Sequence, residues 1–512
     1  MRIALILAAV WGLGMAFWLF PADFLLPGAG GPWRPVGDAA QHAVAQRYFL
    51  ASAWGWPVLN VAMLGGLNLA FADGIPLLAL VLKVIAPVLP AGFHGIGLWY
   101  ALVWVLTPVC AAWAMAGAGE RRILPLLAVA VAAGAMPAFI MRFGHAALCG
   151  HFLLWLGLGF YLRLVAGRRV AGRRVWPGAI LLQGVALLVH PYLAVMTLAL
   201  LAAVPATLLS RRVPWLGAAM GAAGGVALVG GIMTVLGYLG AVGDGQRWYG
   251  AFALNLLSPL WPYRSFFLGG GIQSEIDATG HGGWEGYNWL GLGLWLGLAA
   301  LLAARPGVVL RGLVAHAGLV LACLGLTLLA VSFRVGLGDA VILDLGQAPG
   351  ALEQFRASGR FFWPVGVALL LGVALGLARQ GRAGVLALVA VALVQFIDAT
   401  PARQALQDWA RTQHPWRMDV TTLRPLLAGA GRVTLLPSWP CTAPEDHATR
   451  EALLEMLALA SETPRPINTM YAARWREPPV CADARTRATP PAPGELRLEF
   501  SQGAWRVTAA PR

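Results

Sequence analysis

The stretch Pro76-Leu77-Leu78-Ala79-Leu80-Val81-Leu82-Lys83-Val84-Ile85-Ala86-Pro87-Val88-Leu89-Pro90 decides how this chain is threaded. It is apolar, bounded by prolines and carries the only lysine in the sequence, Lys83. A spanning helix needs roughly 20 apolar residues, so this shorter stretch reads as a helix lying in a membrane interface. The charge pattern gives an independent check. Glu120-Arg121-Arg122 follows the apolar run 97–117, and clustered arginines belong on the cytoplasmic side. Crossings at 3–20 and 97–117 put them there, whereas a third crossing at 76–90 would put them outside.

Residues 3–20, preceded by Arg2, have the pattern of a secretion signal. Pro21 and the lack of an A-x-A site make the segment an uncleaved signal-anchor. Further spans are expected at 123–140, 146–164, 176–189, 192–209, 215–240, 288–304, 312–332, 361–378 and 383–398. The sum is about eleven transmembrane helices, with the N-terminus cytoplasmic and the C-terminus extracytoplasmic. Of 23 Lys and Arg in residues 1–398, 14 fall in short inner segments, including Arg163, Arg168, Arg169, Arg173 and Arg174. Of 12 acids in the same region only Glu120 is placed inside, so the polar chemistry belongs to the outer face. That face comprises a large first loop, 21–95, with the aromatic run Trp54-Gly55-Trp56-Pro57, and later loops at 241–287 and 333–360.

Composition agrees with a polytopic membrane protein. The 512 residues are 59% hydrophobic and 12% charged, with mean hydropathy +0.69, where soluble chains carry roughly 25% charged residues. The net charge of +14 does not imply nucleic acid, because many arginines sit in short clusters between apolar runs. No Walker loop, GxSxG elbow, CxxC pair or strand-borne GxGxxG is present.

Residues 399–512 change character, with 14 Arg against 11 acids and no run long enough to span. Arg432 to Leu436, Glu495 to Phe500 and Trp505 to Thr508 alternate as strands do, and Glu451 to Ala460 has a helical pattern. The tail reads as a small extracytoplasmic α/β domain. Cys441 and Cys481 lie within it, where an oxidising compartment would let them pair. Cys110, Cys149 and Cys323 fall in apolar runs as packing residues.

The outer polar residues form a set. Asp38, in Gly37-Asp38-Ala39-Ala40-Gln41-His42, is expected at the N-cap of a helix from Ala39 to Leu50, with His42 one turn on. Asp73 follows, then Arg142 with His145 at helical i, i+3 spacing, then His151 and His190. Gly283-Trp284-Glu285-Gly286-Tyr287-Asn288 supplies Glu285 and Asn288. Arg356 and Arg360 flank Ser358-Gly359 ahead of an apolar helix, an arrangement suited to an anion cradle. Bland readings stand beside each: Asp38 and Asp73 as helix-start residues, the histidines as satisfied interface groups, Glu285 as an arginine's partner, and the two arginines as interfacial anchors.

Asp38 to Tyr48, Ile75 to Pro90 and 97–122 together resemble the GT-C class of integral membrane glycosyltransferases, which includes protein mannosyltransferases and lipid A aminoarabinose transferases. More narrowly, 37–42, 73–80, 142–151, 285–291 and 356–364 resemble a family of bacterial polytopic membrane proteins of unassigned function. The GT-C likeness implies a polyprenyl-phosphate-linked sugar donor, a glycan or lipid acceptor, and a first-loop acid that activates the acceptor hydroxyl. Carried to this chain, that acid is Asp38. The acidic pair common in the class is absent, because Ala39 follows Asp38, which leaves the need for a divalent metal open. His42, Asp73, Arg142, His145, Glu285, Asn288, Arg356 and Arg360 are then the expected substrate-binding set, in a bacterial inner membrane. A lipid or glycan transporter or flippase and a non-catalytic envelope assembly protein are the rival expectations.

Overall fold

The computed structural model describes residues 1–26, 34–166, 169–243, 249–269 and 285–510, with only the backbone over 169–173. Arg168 and Gly283-Trp284 lie outside the described residues. The chain is mostly helical. Its principal helices are α1 (Arg2–Leu19), α2 (Gly37–Ala51), α3 (Pro76–Ile85), α4 (Ile96–Gly117), α5 (Ile123–Gly134), α6 (Phe152–Val165), α7 (Arg169–Val189), α8 (Pro191–Ser210) and α9 (Leu216–Val235). After these come α10 (Leu292–Ala304), α11 (Pro306–Ala315), α12 (Ala317–Val331), α13 (Trp363–Ala378), α14 (Gly381–Asp398), α15 (Thr400–Arg411), α16 (Val420–Gly429) and α17 (His447–Ala460).

Each segment expected to cross a membrane overlaps a helix, but 123–140 breaks after Gly134, 146–164 opens with a 3-10 turn before Phe152, and 312–332 is divided at His316. Seven helices among the described residues are long and apolar enough to span by themselves, or eight if the bent pair α10–α11 counts as one. α5 and α12, and the apolar part of α7, are shorter. One expectation is corrected: the turn around Arg305 and Arg311 is a further helix, α11, bent by 104° from α10 at Pro306. Proline fits the first turn of α11 but cannot continue α10, since it lacks the N–H that the helix ladder needs.

α4 lies at the centre, packed against α1, α5 and α6. Trp99, Tyr100 and Trp104 on it are buried, with the Trp99 indole donating to Ala146 O at 2.7 Å. The two ends of the bundle differ in chemistry. At one end arginines satisfy the carbonyls that helix C-termini leave open. Arg163 donates to Trp113 O, Arg211 to Val165 O and Ala315 O, and Arg122 to Ala378 O, all within 2.7–2.9 Å. The opposite end, some 33 Å away by the length of α4, gathers the loops that hold acids and histidines.

At that second end α3 is a helix as expected, amphipathic and short, with Val81, Val84 and Ile85 exposed along it and Val88 exposed in the 3-10 turn that follows. Lys83 is folded back, donating to Ser52 Oγ at 2.9 Å. A hairpin of β1 (Arg334–Leu337) and β2 (Ala340–Asp344) projects from the loop after α12.

The tail holds a three-stranded sheet of β3 (Arg432–Leu436), β4 (Glu495–Ser501) and β5 (Ala504–Ala509), with β3–β4 parallel and β4–β5 antiparallel. These are the three strands read from alternation, and α17 is the helix read from period. Cys441 and Cys481 are joined by a disulfide. The helices α15 and α16 were not anticipated. Through α15 the tail reaches α1, because Gln407 and Arg411 both donate to Trp18 O at 3.0 Å.

Candidate active site

Glu285 is buried and held by two arginines and a histidine. Its side chain is 5% exposed, and its Oε2 accepts Arg142 Nη1 at 2.7 Å and Arg360 Nη2 and Nε at 2.7 and 3.1 Å. Its Oε1 meets His145 Nε2 at 2.9 Å. Burial opposes the charged form of Glu285, but the two guanidiniums and His145 outweigh it and hold the carboxyl well below its ordinary range.

Local packing makes this knot possible. Gly359 sits against Gly286, and a Cβ at Gly359 would stand 2.7 Å from Gly286 Cα, so only glycine lets Arg360 approach Glu285. Asn288 brackets the two loops, donating to Gly286 O at 2.8 Å and Gly359 O at 3.0 Å. Asn288 is buried, and its amide donors serve the backbone. The anion-cradle expectation for Ser358-Gly359 is corrected for the same reason. Ser358 Oγ donates to Ala330 O and Gly359 N to Phe252 O, so neither donor is available. Arg142 and His145 are also not on a helix. They sit on the turns after Pro137–Ile140, yet both still converge on Glu285.

His145 joins this knot to Asp38. Its Nε2 lies 2.9 Å from Glu285 and 3.4 Å from Asp38 Oδ2. Both partners are carboxylates, so Nε2 carries the proton and shares it between them. Asp38 is in the first turn of α2, not at its cap, because Gly37 takes a left-handed φ of +54° and itself begins the helix. The carboxylate of Asp38 is therefore not spent on the helix start. Its side chain is 34% exposed, and Oδ1 accepts Tyr471 O–H at 3.1 Å.

Tyr471 belongs to the tail and was not found in the sequence. It stacks on Trp439, with ring centroids 4.3 Å apart, in the middle of an extended strap. Along that strap Ile467 pairs with Val433 and Met63, Leu64 N donates to Ile467 O, Ala473 N donates to Phe71 O, and Trp475 exchanges both backbone bonds with Val242. Arg474 donates to Gln354 O at 3.1 Å. One segment thus stitches the tail to three loops, and Tyr471 is aimed by it. No period or motif around Tyr471 carries that information, since its partner is 433 residues away.

A second acid–histidine pair lies alongside. His190 Nδ1 accepts Tyr192 N–H at the start of α8, which leaves the proton on Nε2, 3.5 Å from Asp73 Oδ1. Asp73 and Ile75 both adopt left-handed φ, 50° and 52°, which is costly for these residue types, Ile75 above all. Gln46 pins this kink, donating to Gly74 O and accepting Gly95 N–H, each at 2.8 Å. Asp73 does not cap α3; Ile75 occupies that position. Burial pushes the Asp73 carboxyl up, but His190, His42 and His145 outweigh it and hold it below its ordinary range.

His42 stands between the two pairs, fully buried, with its ring centroid 6.5 Å from that of His145. Neither ring nitrogen has a hydrogen-bond partner among the described residues. Burial lowers its pKa to about 4, so the imidazole is neutral near pH 7. Arg356 is exposed, lies over Phe252 and has no ion pair among the described residues. It is close enough to Tyr471 to favour ionisation of that phenol, though burial dominates and raises the group. His151 stands apart, stacked on Trp363 at 4.6 Å.

Among the described residues, the one group of three ligand atoms within 4.8 Å is Cys441, Cys481 and Asp483, whose two sulfurs are consumed by the disulfide.

Residues 9–400 match the family model described as Domain of unknown function (DUF6311), and residues 422–499 match the DUF6311 C-terminal domain. The chain therefore belongs to the DUF6311 family. No curated protein and no solved structure matches it.

Proposed function

We propose that this member of the DUF6311 family is an integral membrane glycosyltransferase of GT-C type. In this reading eleven helices cross a bacterial inner membrane, α3 lies in the outer interface, and the tail is extracytoplasmic. The enzyme moves a sugar from a polyprenyl-phosphate donor to a hydroxyl of a cell-surface glycan or lipid.

One observation carries this reading. A partly exposed carboxylate, Asp38, meets an imidazole from the turn after Pro137–Ile140 and a phenol from the tail, and the exposed Arg356 from the loop before α13, without an ion pair among the described residues, acts on that same phenol. Glycosyl transfer with inversion needs a base on one side of the anomeric carbon and a cation on the other. The acceptor oxygen attacks that carbon while its proton passes to Asp38. The bond from the anomeric carbon to the donor phosphate breaks, and the polyprenyl phosphate leaves with the electron pair. Arg356 is the cation placed to meet that developing charge. Arg142 and Arg360 are neutralised in part by Glu285, and the knot retains one net positive charge that biases the site towards anions. His145 holds Asp38 through its shared proton. The exposed Trp54, Trp56 and the apolar face of α3 offer the lipid tail a lateral approach.

Incubating the purified protein with polyprenyl-phosphate sugars and a hydroxyl acceptor tests the reading. Release of polyprenyl phosphate by the native protein, and its loss in Asp38→Asn, is the expected result. Binding without turnover would favour a transporter or flippase, and neither binding nor turnover an assembly role. Full transfer by Asp38→Asn would remove Asp38 from the mechanism.

A further inference from the structure

Nine residues along α2 from Asp38, about 13 Å by helical rise, the structure holds a separate cleft of about 330 Å³. Its walls come from the last turns of α2, the loop 86–93 after α3, and Glu462 to Arg465 of the tail. Arg47 forms its floor. That side chain is buried, with Nε donating to Gly92 O and Nη1 to Ser461 Oγ at 3.2 Å. Nη2 has no acceptor among the described residues. Arg465 is the second cation, tethered by one bond to Ala428 O. The carboxylate in the cleft, Glu462, is already paired with Arg424 at 2.8 Å. The polar side of the cleft is therefore cationic on balance.

The other side is apolar. Leu50 and Leu89 form the rim, and beside it Val84 and Val88 are 71% and 82% exposed. A basic floor, an apolar rim and an exposed aliphatic face beyond it match an amphiphile with an anionic head. We propose that this cleft binds the phosphate headgroup of an anionic membrane phospholipid, with its acyl chains lying along Val84 and Val88. The headgroup site shares no residue with the Asp38 cluster, although its acyl-chain face on α3 is the one offered above to the donor's lipid tail.

The test uses the full chain in nanodiscs of mixed phosphatidylglycerol and phosphatidylcholine, followed by native mass spectrometry of the released protein. The native chain is expected to retain one phosphatidylglycerol. Ala91→Trp, which fills the cleft from its exposed rim, and Arg465→Gln, which removes an exposed cation, should each lower retention about tenfold, the scale of one charged hydrogen bond. Asp38→Asn should retain lipid like the native chain. Equal retention in Ala91→Trp and Arg465→Gln, or equal retention of phosphatidylcholine by the native chain, would overturn the proposal. Millimolar inorganic phosphate is expected to leave the lipid in place; displacement by phosphate alone would assign the cleft to free phosphate and overturn the lipid.

Discussion

Asp38 and Glu285 are linked by the proton of one histidine, yet they occupy opposite electrostatic situations. Glu285 is buried and answers two guanidiniums and an imidazole, so both its oxygens are engaged within the fold. Asp38 is a third exposed, shares a proton with His145, accepts one phenol, and has room for another donor. The first arrangement suits a strut, the second a reagent. A charge fully matched inside a protein has nothing left to offer a substrate, whereas one held in place but incompletely matched does.

Substitutions can break or sharpen this contrast. Asp38→Asn should reduce transfer by about 10²–10⁴-fold, the usual worth of a positioned base, while the apparent Tm in detergent stays within a few degrees. Glu285→Gln should do the reverse in kind, costing about 3–5 kcal/mol of stability because two buried arginines lose their counter-ion. The pH dependence follows. The Glu285 carboxyl is depressed in the folded state, so its contribution is present above the ordinary value of 4.5 and is lost as pH falls below it. Thermal melts of Glu285→Gln should lack that limb. If both variants lost activity and stability alike, the strut and the reagent would be one unit.

His42 adds a separate limb. Its pKa falls from 6.5 to about 4 on burial, so unfolding binds a proton that the folded state excludes. Stability should therefore decline as pH drops from about 6.5 to about 4, by an amount of order 3 kcal/mol. His42→Phe should shrink the decline in this region by that amount and leave the limb below pH 4.5 intact; an unchanged profile would mean that His42 is charged or solvated in the folded protein. The smallest effect belongs to Tyr471→Phe, which removes one neutral donor from Asp38. A change of about threefold to tenfold in kcat, with Asp38→Asn unaffected by adding it, is the expected outcome.

Much of this arrangement was readable residue by residue, for definite reasons. The shortness of 76–90 and the arginines at 121–122 separated α3 from the spanning helices, because membrane thickness and charge leave few alternatives. Alternation marked β3, β4 and β5, although the structure buries 433–436 of β3 and 495–498 of β4 on both faces. Asp38, Arg142, His145, Glu285 and Arg360 were singled out as polar residues in an apolar chain, and they meet. What could not be read was their division of labour. Whether Arg360 faces a ligand or Glu285 depends on Gly359 touching Gly286, a contact between residues 73 positions apart.

The sequence alone determined which segments are apolar helices, which end of the bundle is basic, and which residues are too costly to be incidental. Those are matters of composition and local period, which each segment carries within itself. Only the tertiary structure decided that Asp38 begins a helix without capping it, that Glu285 consumes two arginines while Arg356 stays open, and that Tyr471 comes from the tail to reach Asp38. Each depends on distant loops closing to hydrogen-bond distance, and the physical reason is that such closure is a property of the packed chain, encoded at no single position.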